Sequence, residues 1–249
     1  MTTAAQVGRL EEIARLLDHY QHRFERARDE RAVFTFLYAG TTHALAREVG
    51  RIVWDDEEWV VCLAEAFARR YVNALDAFDG HRDVPQAWQD VFTTICGHGS
   101  SVLEDLVYPM AAHIIHDLPL ALLDTGMNDP VGRPRLPDFH RMNDVLGTAV
   151  NGLQAAVTRR YNPVLGWLDR LGGSRDELLT NYGLRIARGM AWYNGMRLSD
   201  DGTREAARAS ISSSPGALIR EVRDPPLGSV RTILRIVRVL TRLLRRWPS

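Results

Sequence analysis

Apolar residues recur along most of this chain with the spacing of an α-helix. The clearest case begins at Trp59, from which an apolar residue follows at every fourth position up to Leu75. No segment alternates apolar and polar residues between turn signals in the manner of a β-strand. Further helices are predicted at 4–28, 30–49, 85–107, 109–124, 138–160, 174–198 and 228–247. The pattern therefore predicts an all-α fold, a single-domain bundle of about eight or nine helices that ends in a basic amphipathic helix.

Turn signals divide the chain into three parts. Loops are predicted at 79–85, 125–137 and 172–174, all within an all-helical core domain that spans residues 1–198. A stretch containing serine, glycine and proline predicts a partly helical linker over 199–227, and the basic amphipathic helix occupies 228–249. Asp138 follows Pro137 and precedes a periodic apolar run, which predicts the start of a helix.

An acidic run at 55–58 precedes the helix that contains Trp59. Negative charge is favourable at a helix N-terminus, so we interpret this run as a capping sequence. The alternative is an aspartate-rich magnesium site of the terpene-cyclase kind. No second magnesium motif of Asn, Ser and Glu residues accompanies the run, and this favours the capping interpretation.

Composition removes several classes of chemistry. The 249 residues include 31 basic and 31 acidic side chains, and every basic one is arginine. Without lysine the protein forms no lysine Schiff base, which excludes pyridoxal-phosphate enzymes and lysine aldolases. A P-loop nucleotide-binding motif is also excluded, because that motif requires a lysine. The N-terminus has no signal-peptide pattern, and no run of about 18 apolar residues is present. Cys62 and Cys96 show no metal or redox spacing, so we expect a reduced cytoplasmic protein.

The candidate chemistry is concentrated in the segment 110–119. At 100° per residue the apolar side of this helix carries Met110 and Ile114, and His113 and Asp117 lie one turn apart at its edge. His116 is predicted to point away from that side. A histidine and a carboxylate that face the core must satisfy each other or bind something, and a buried hydrogen bond between two helices is the structural alternative. Pro119 is predicted to kink or end the helix.

Two patterns of metal hydrolases include this segment. The spacing His113-x-x-x-Asp117 is similar to the helical zinc ligands of phospholipase C and P1 nuclease, and His116-Asp117 resembles the pair of the HD phosphohydrolases. We therefore treat His113, Asp117 and His116 as candidate metal ligands. The HD pattern also needs a histidine upstream and an aspartate downstream, and the contexts of His81 and His98 do not fit it well. Zinc usually requires three protein ligands.

Other residues are predicted to complete a site. Asn143 is placed to reach inward from the helix that begins at Asp138, and Asn194 flanks the apolar side of the helix 174–198. That apolar side is predicted to consist of Tyr182, Ile186, Met190 and Tyr193. With His113 and Asp117, the two asparagines are the candidate catalytic residues. The candidate pocket residues are Tyr38, Thr42, Tyr71, Met110 and Trp192.

The order of these motifs resembles a bacterial, largely actinobacterial group, domain-of-unknown-function family 5995. The resemblance extends from Phe34 to Met196. It rests on Phe36-Leu37-Tyr38 with Thr42, the segment 67–71, Val84-Pro85 with Trp88, the core 113–119, Asp138-Phe139 with Asn143, and Ala191-Trp192 with Asn194. It implies an all-helical fold and a site around His113 but no assigned reaction. Ala111 and Ile115 stand where family members commonly have asparagine, so the polar network is reduced or the pocket is retuned here.

The C-terminal segment carries the charge asymmetry of the chain. Residues 225–249 hold six arginines and no acidic residue, which leaves 25 basic and 31 acidic side chains, a net charge of −6, in the remainder. On a helical wheel the apolar residues of 228–247 take one side and the arginines the other. Such a helix either packs on the acidic body or lies on an anionic membrane surface. Nucleic-acid binding is not expected, because the body is acidic and readout motifs are missing.

Three functional hypotheses follow. The first is an enzyme of metal-assisted hydrolysis acting on a phosphoester or related small molecule, with His113 and Asp117 as ligands or as a base and its orienting partner. The second is a metal-free cyclase or isomerase of specialised metabolism that uses the same pair for acid–base chemistry. The third is a non-catalytic ligand-binding or membrane-peripheral protein. The expected partner is a small-molecule substrate, and the expected cofactor is a divalent metal in the first case alone. The oligomeric state is not predicted.

Overall fold

The computed structural model of this protein describes residues 3–97, 99–162, 175–226 and 228–248. Within these ranges the chain forms ten α-helices and one π-helical turn and no β-strand, which confirms the all-α prediction. The helices are α1 Thr3–Ala27, α2 Arg31–Glu48, α3 Glu57–Asp79, α4 Gln86–Ile95, α5 Val102–Ala112, α6 Leu118–Thr125, α7 Leu136–Tyr161, α8 Arg175–Ser199, α9 Arg204–Arg223 and α10 Gly228–Leu243. The π-turn, His113–Asp117, lies between α5 and α6.

The core consists of two apolar clusters that meet at the helix α5. Its largest side chains are Tyr71, Trp88 and Tyr108 in the first cluster and Trp59, Phe139 and Trp192 in the second. Met110 packs against both clusters. The predicted apolar stripe of α3 is buried except at Phe67, which is only half-buried. Burial of these large side chains supplies most of the driving force for the fold.

The segment 102–125 runs through the centre of the bundle. α5, the π-turn and α6 follow one another without a loop, and the π-turn contacts α3, α8 and α9. By length and composition this segment could cross a membrane, but 67% of its apolar window is buried inside the bundle. A long apolar core helix has the same composition.

The N-terminus of α3 confirms the capping interpretation of the acidic run. Asp56 is the N-cap residue, and its carboxylate accepts the Trp59 N–H at 3.0 Å. Asp138 accepts the backbone N–H groups of Asp55 and Asp56 at 2.9 and 2.7 Å. Asp138 lies in the first turn of α7, which begins at Leu136. Its buried carboxylate thus joins the start of α7 to the start of α3.

The predicted helix 85–107 is two helices, because a new N-terminus forms at Ser101. The Ser101 hydroxyl accepts the Glu104 N–H at 3.2 Å, and the Glu104 carboxylate accepts the Ser101 N–H at 2.9 Å. This capping box satisfies two backbone donors and favours a helix start at Val102. The preceding helix α4 therefore ends at Ile95.

The helix neither ends nor kinks simply at Pro119, as the sequence predicted, but widens into the π-turn. The Leu118 N–H bonds to the His113 carbonyl, five residues back, and the chain continues as α6 with Pro119 in its first turn. A proline in the first turn of a helix lacks only a donor that would be unpaired there anyway. A π-turn rotates less per residue than an α-helix, and His116 is buried instead of pointing away from the core.

The prediction for α8 selected the wrong face. Ile186, Met190 and Tyr193 are each at least half exposed, whereas Arg188 and Trp192 are buried. The side chain of Tyr182 is outside the described residues. α8 instead approaches α6 closely at Gly195, where a Cβ atom would lie 3.4 Å from the Leu122 Cβ. The buried side of the helix therefore includes Gly195 and not the predicted apolar stripe.

The last two helices pack on the body. The stretch predicted as a partly helical linker is helical over Arg204–Arg223, and α9 contacts α4, α5 and α8. α10 ends at Leu243, four residues earlier than predicted, and Trp247 packs on Tyr161 at a ring distance of 6.3 Å. Arg238 and Arg245, two arginines of this C-terminal segment, pair with carboxylates of the body. The predicted loop 172–174 lies outside the described residues.

Candidate functional site

The carboxylate of Asp117 is the centre of a fully buried polar group. It accepts hydrogen bonds from the Nδ1 atoms of His113 and His116, both at 2.9 Å, and from the Trp88 Nε1–H at 2.9 Å. Burial opposes the charge of Asp117, but the bonds from the two imidazoles hold its pKa below the ordinary value. Asp117 is therefore an ionised acceptor at neutral pH.

The charge of Asp117 determines the tautomer of His113. A carboxylate only accepts hydrogen bonds, so the Nδ1 of His113 carries the proton and its Nε2 keeps the lone pair. Burial lowers the pKa of His113, although Asp117 opposes this, and the imidazole is neutral at pH 7. The Nε2 atom is buried and has no hydrogen-bond partner among the described residues. His113 thus presents an unpartnered basic nitrogen in the protein interior.

Aromatic rings enclose the imidazole of His113. Phe67 stacks on it with ring centroids 3.5 Å apart and an interplanar angle of 8°, and the Tyr38 ring meets it edge-on at 4.5 Å. Phe34, Tyr71 and Trp88 complete the enclosure at 5.9, 5.8 and 6.1 Å. We call these five rings with His113 the aromatic chamber. It excludes water from the imidazole and strengthens its interactions with charged groups.

A pocket adjoins the aromatic chamber and shares two of its walls. Its cavity volume is about 40 Å³, and it is partly open to the outside. Tyr38 and Phe67 contact His113 on one side and border the pocket on the other. The remaining lining residues are Thr41, Thr42, Leu45, Leu63, Ala64, Leu118, Met142, Leu146 and Arg188. This described wall is therefore apolar apart from three hydroxyl groups and one guanidinium.

Arg188 is the one charged residue of that described wall, and the sequence reasoning missed it. It is 3% exposed, its guanidinium lies over the Phe139 ring at 4.7 Å, and its Nε–H donates to the amide oxygen of Asn143. Its Nη2 is buried without a hydrogen-bond partner in the part of the chain that the structure describes. Burial lowers the pKa of Arg188 to about 10. Its position one turn before the buried Trp192 was the only available signal.

The predicted pocket residues have different positions. Tyr38 and Thr42 line the pocket, and Tyr71 contacts the His113 ring. Met110 packs between the two core clusters, and Trp192 lies against Phe139 with ring centroids 5.1 Å apart. The structure thus brings three of these five residues to the pocket or the aromatic chamber.

The two candidate catalytic asparagines are separated. Asn143 is buried and orients Arg188, so it acts on the pocket through that guanidinium. Asn194 is half-buried, and its amide oxygen accepts a bond from Arg197 at 3.4 Å. Asn194 is not among the described residues that line the pocket.

The described residues contain no group of three His, Cys, Asp or Glu side chains arranged to hold a metal ion. His113, His116 and Asp117 do come together, but both imidazoles direct Nδ1 at the carboxylate. Asp117 is therefore a hydrogen-bond acceptor for both rings and for Trp88. His81 is exposed on the surface, and His98 lies outside the described ranges.

The fold and the site define a class of protein, an all-helical bundle with a buried histidine–aspartate pair next to a small pocket. Residues 10–225 match the model of a family of unknown function, DUF5995, and the chain belongs to this family. The match includes the whole aromatic chamber, Arg188 and all of α9. No curated protein and no solved structure matches the chain.

Proposed function

We propose that this protein is a metal-independent enzyme that moves protons on a small molecule, as isomerases and cyclases do. His113 is the proposed base, and Asp117 is the residue that orients it. The observation that carries the proposal is the buried Nε2 of His113, which has no hydrogen-bond partner among the described residues. The Nδ1–H of the same ring is bonded to Asp117 at 2.9 Å. An imidazole in this state accepts a proton at Nε2 without rotating or changing tautomer.

The surroundings of His113 favour this chemistry over a purely structural role. A structural histidine usually satisfies both of its nitrogens, because a buried polar atom without a partner costs about 1–3 kcal/mol. Asp117 stabilises the imidazolium that forms after proton transfer. Tyr38 offers a hydrogen-bond donor, since burial raises the pKa of its phenol well above the ordinary value and keeps it protonated.

A ligand in the pocket would reach His113 through the two shared walls. Phe67 and Tyr38 line the pocket and also contact the imidazole. We expect rotation of either ring to bring a bound ligand within reach of His113. Phe67 is half-buried and stacks face to face on His113, so a flat ligand group can replace it with similar contacts. Metal-assisted hydrolysis is the weaker hypothesis. With both Nδ1 atoms bonded to Asp117, the two Nε2 atoms would be the only ligands, whereas zinc usually requires three protein ligands.

Proton transfer can be tested with a mixture of candidate substrates. Purified protein treated with a chelator is incubated in D₂O with a metabolite extract, and mass spectrometry detects compounds that gain deuterium at carbon. We expect labelled compounds with the wild type and none with His113→Asn, while His140→Asn, a change at an exposed histidine, keeps the labelling. Labelling that survives His113→Asn, or turnover that appears only after addition of a divalent metal, would refute the proposal.

A further inference from the structure

Arg188 is a buried cation that has no anionic partner in the described part of the chain. The other strongly buried arginines there, Arg31 and Arg245, contact carboxylates at 2.5 and 3.0 Å. Arg188 instead contacts a neutral amide and the face of the Phe139 ring, and its Nη2 has no described partner. A buried charge without a counter-charge is strongly unfavourable, so this guanidinium is ready to bind an anion.

The pocket determines where that anion would lie. Arg188 is the one charged residue among the described lining residues, and most of the others are aliphatic. The hydroxyls of Thr41 and Thr42 both donate to the Tyr38 carbonyl at 2.9 Å, so their hydrogens are already engaged. The bond from Nε to Asn143 fixes the plane of the guanidinium. An anionic group that enters the pocket therefore has Arg188 as its main partner.

The size and charge of the pocket select the type of anion. A cavity of about 40 Å³ accommodates roughly three water-sized groups, since one water needs about 10–15 Å³. One guanidinium balances the single negative charge of a carboxylate, whereas a dianionic phosphate would keep one unbalanced charge in this mostly apolar pocket. The carboxylate fills most of this volume, and a short hydrocarbon chain can extend along the aliphatic wall toward the open side of the pocket.

We propose that the pocket binds the carboxylate of a small aliphatic acid, with Arg188 as its counter-ion and Asn143 as the residue that positions Arg188. This inference rests on the proposed function, because it names the substrate class on which His113 would act. It is also testable by binding alone. The carboxylate replaces the missing partner of Nη2, and the aliphatic part of the acid occupies the apolar wall.

The experiment measures the thermal unfolding midpoint with sodium acetate, propionate or butyrate. The uncharged amides of the same acids and sodium chloride at equal ionic strength are the controls. We expect the acids to raise the midpoint by several degrees in a saturable manner and the amides and chloride to have little effect. Arg188→Met abolishes the response, and Arg188→Lys weakens it. Arg185→Met, a change at an exposed position of the same helix, keeps it.

The variants also separate this inference from the proposed function. Arg188→Met without any ligand should unfold at the same or a higher temperature than the wild type, which shows that the fold is intact. If the amides stabilise as well as the acids, if the wild type shows no response, or if Arg188→Met still responds, the carboxylate site is wrong. Carboxylate binding that persists in His113→Asn supports the site. Binding without any proton transfer leaves the site standing and rejects only the enzymatic function.

A second, independent observation concerns the outer side of α10. Ile236, Val239, Leu240 and Leu243 are at least half exposed, and the exposed Arg235 and Arg242 flank them. On the inner side, Arg238 contacts Glu104 at 2.8 Å, and Arg245, two residues after the helix ends, contacts Glu30 at 3.0 Å. α10 is thus attached to the body through arginines, while a row of aliphatic side chains faces outward.

We infer that this aliphatic row lies on an anionic lipid surface. Lipid supplies both an apolar interior for the leucines and negative headgroups for the flanking arginines. A second copy of the chain fits less well. Residues 225–249 hold six arginines and no acid, so a twofold contact through α10 would oppose like charges.

Vesicle sedimentation of the full chain tests this surface. We expect binding to vesicles of phosphatidylcholine with about 30% phosphatidylglycerol and much less to phosphatidylcholine alone, with salt weakening it. A triple change of Ile236, Leu240 and Leu243 to serine should reduce binding at least tenfold. The matched triple change of Ile186, Met190 and Met196, exposed on α8, should not. Equal binding to neutral vesicles, an unaffected first triple variant, or a dimer that this variant dissociates would each overturn the inference.

Discussion

His113 combines burial with an unsatisfied nitrogen, and its pKa makes that combination measurable. Its imidazole lies 2% exposed among aromatic rings, and burial lowers its pKa. The unfolded chain binds a proton on this histidine below about pH 6.5, whereas the folded chain does not until a lower pH is reached. The stability that depends on the neutral imidazole is therefore present above about pH 6.5 and is lost as the pH falls below it.

We predict that His113→Gln reduces the pH dependence of the free energy of unfolding. The wild type should lose up to about 1.4 kcal/mol per pH unit from this one group below its unfolded pKa, and the variant should lack that contribution. Urea titrations at about pH 7.5, 6.5 and 5.5, which bracket that unfolded pKa, measure the slope. His140→Gln serves as the control, because His140 is exposed. An unchanged slope in His113→Gln would show that folding does not lower the pKa of this imidazole.

Substitution of most buried polar residues lowers the free energy of unfolding. For Arg188 we predict the opposite, that its removal stabilises the protein. Burial lowers its pKa to about 10, so the fold holds the guanidinium at a cost. We expect Arg188→Met to raise the free energy of unfolding by about 1–3 kcal/mol, measured by urea denaturation without added carboxylate. A loss of similar size would mean that the contacts with Asn143 and Phe139 outweigh the burial of the charge.

At the scale of elements, helix existence follows from the sequence more reliably than helix faces and ends. The apolar stripe beginning at Trp59 and the acidic cap before it predicted α3 correctly, because both signals are local. α8 was assigned the wrong face, because the side of a helix that is buried depends on its packing against distant elements, here mainly α6. The π-turn was not predicted, because Pro119 requires a change in the backbone but does not determine its form.

The capping box at Ser101 gives a prediction at this scale. Ser101→Ala removes the acceptor of the Glu104 N–H at the start of α5, which should cost about 1 kcal/mol of the free energy of unfolding. Thr93→Ala, at an exposed position of α4, should change it by less than about 0.5 kcal/mol. Chemical denaturation measures both. If the two variants are equally stable, the interruption between α4 and α5 does not depend on this cap.

At the scale of the whole molecule, the acidic body and the basic C-terminal segment meet in a buried ionic cluster. Arg245 pairs with Asp105 and with Glu30, and it also donates to the Ser100 carbonyl at 3.0 Å. Burial raises the pKa of Asp105 well above its ordinary value, although Arg245 opposes this. The chain is neutral in total, and its two oppositely charged parts are joined by specific contacts.

Loss of Arg245 should leave the two carboxylates buried without this cation. We predict that Arg245→Met lowers the free energy of unfolding by about 3–5 kcal/mol at neutral pH. The loss should be smaller in mild acid, because Asp105 takes up a proton readily. Arg246→Met, at the exposed neighbouring position, is the control and should be close to the wild type. Equal effects of the two changes, measured by urea denaturation, would contradict a specific role for the Arg245 cluster.

The sequence alone determined the all-helical class, most helix positions, the charge division and the pairing of His113 with Asp117, because each depends on residues within a few turns of one another. Tertiary structure decided which atoms remained unsatisfied. Arg188 lies 75 positions from His113 in the chain, and only the packing of α8 on α7 buries it beside the pocket. Likewise, the aliphatic side of α10 faces outward because Arg238 and Arg245 meet carboxylates that lie far away in the sequence. Burial and long-range charge pairing are properties of the assembled bundle, and they determine the site.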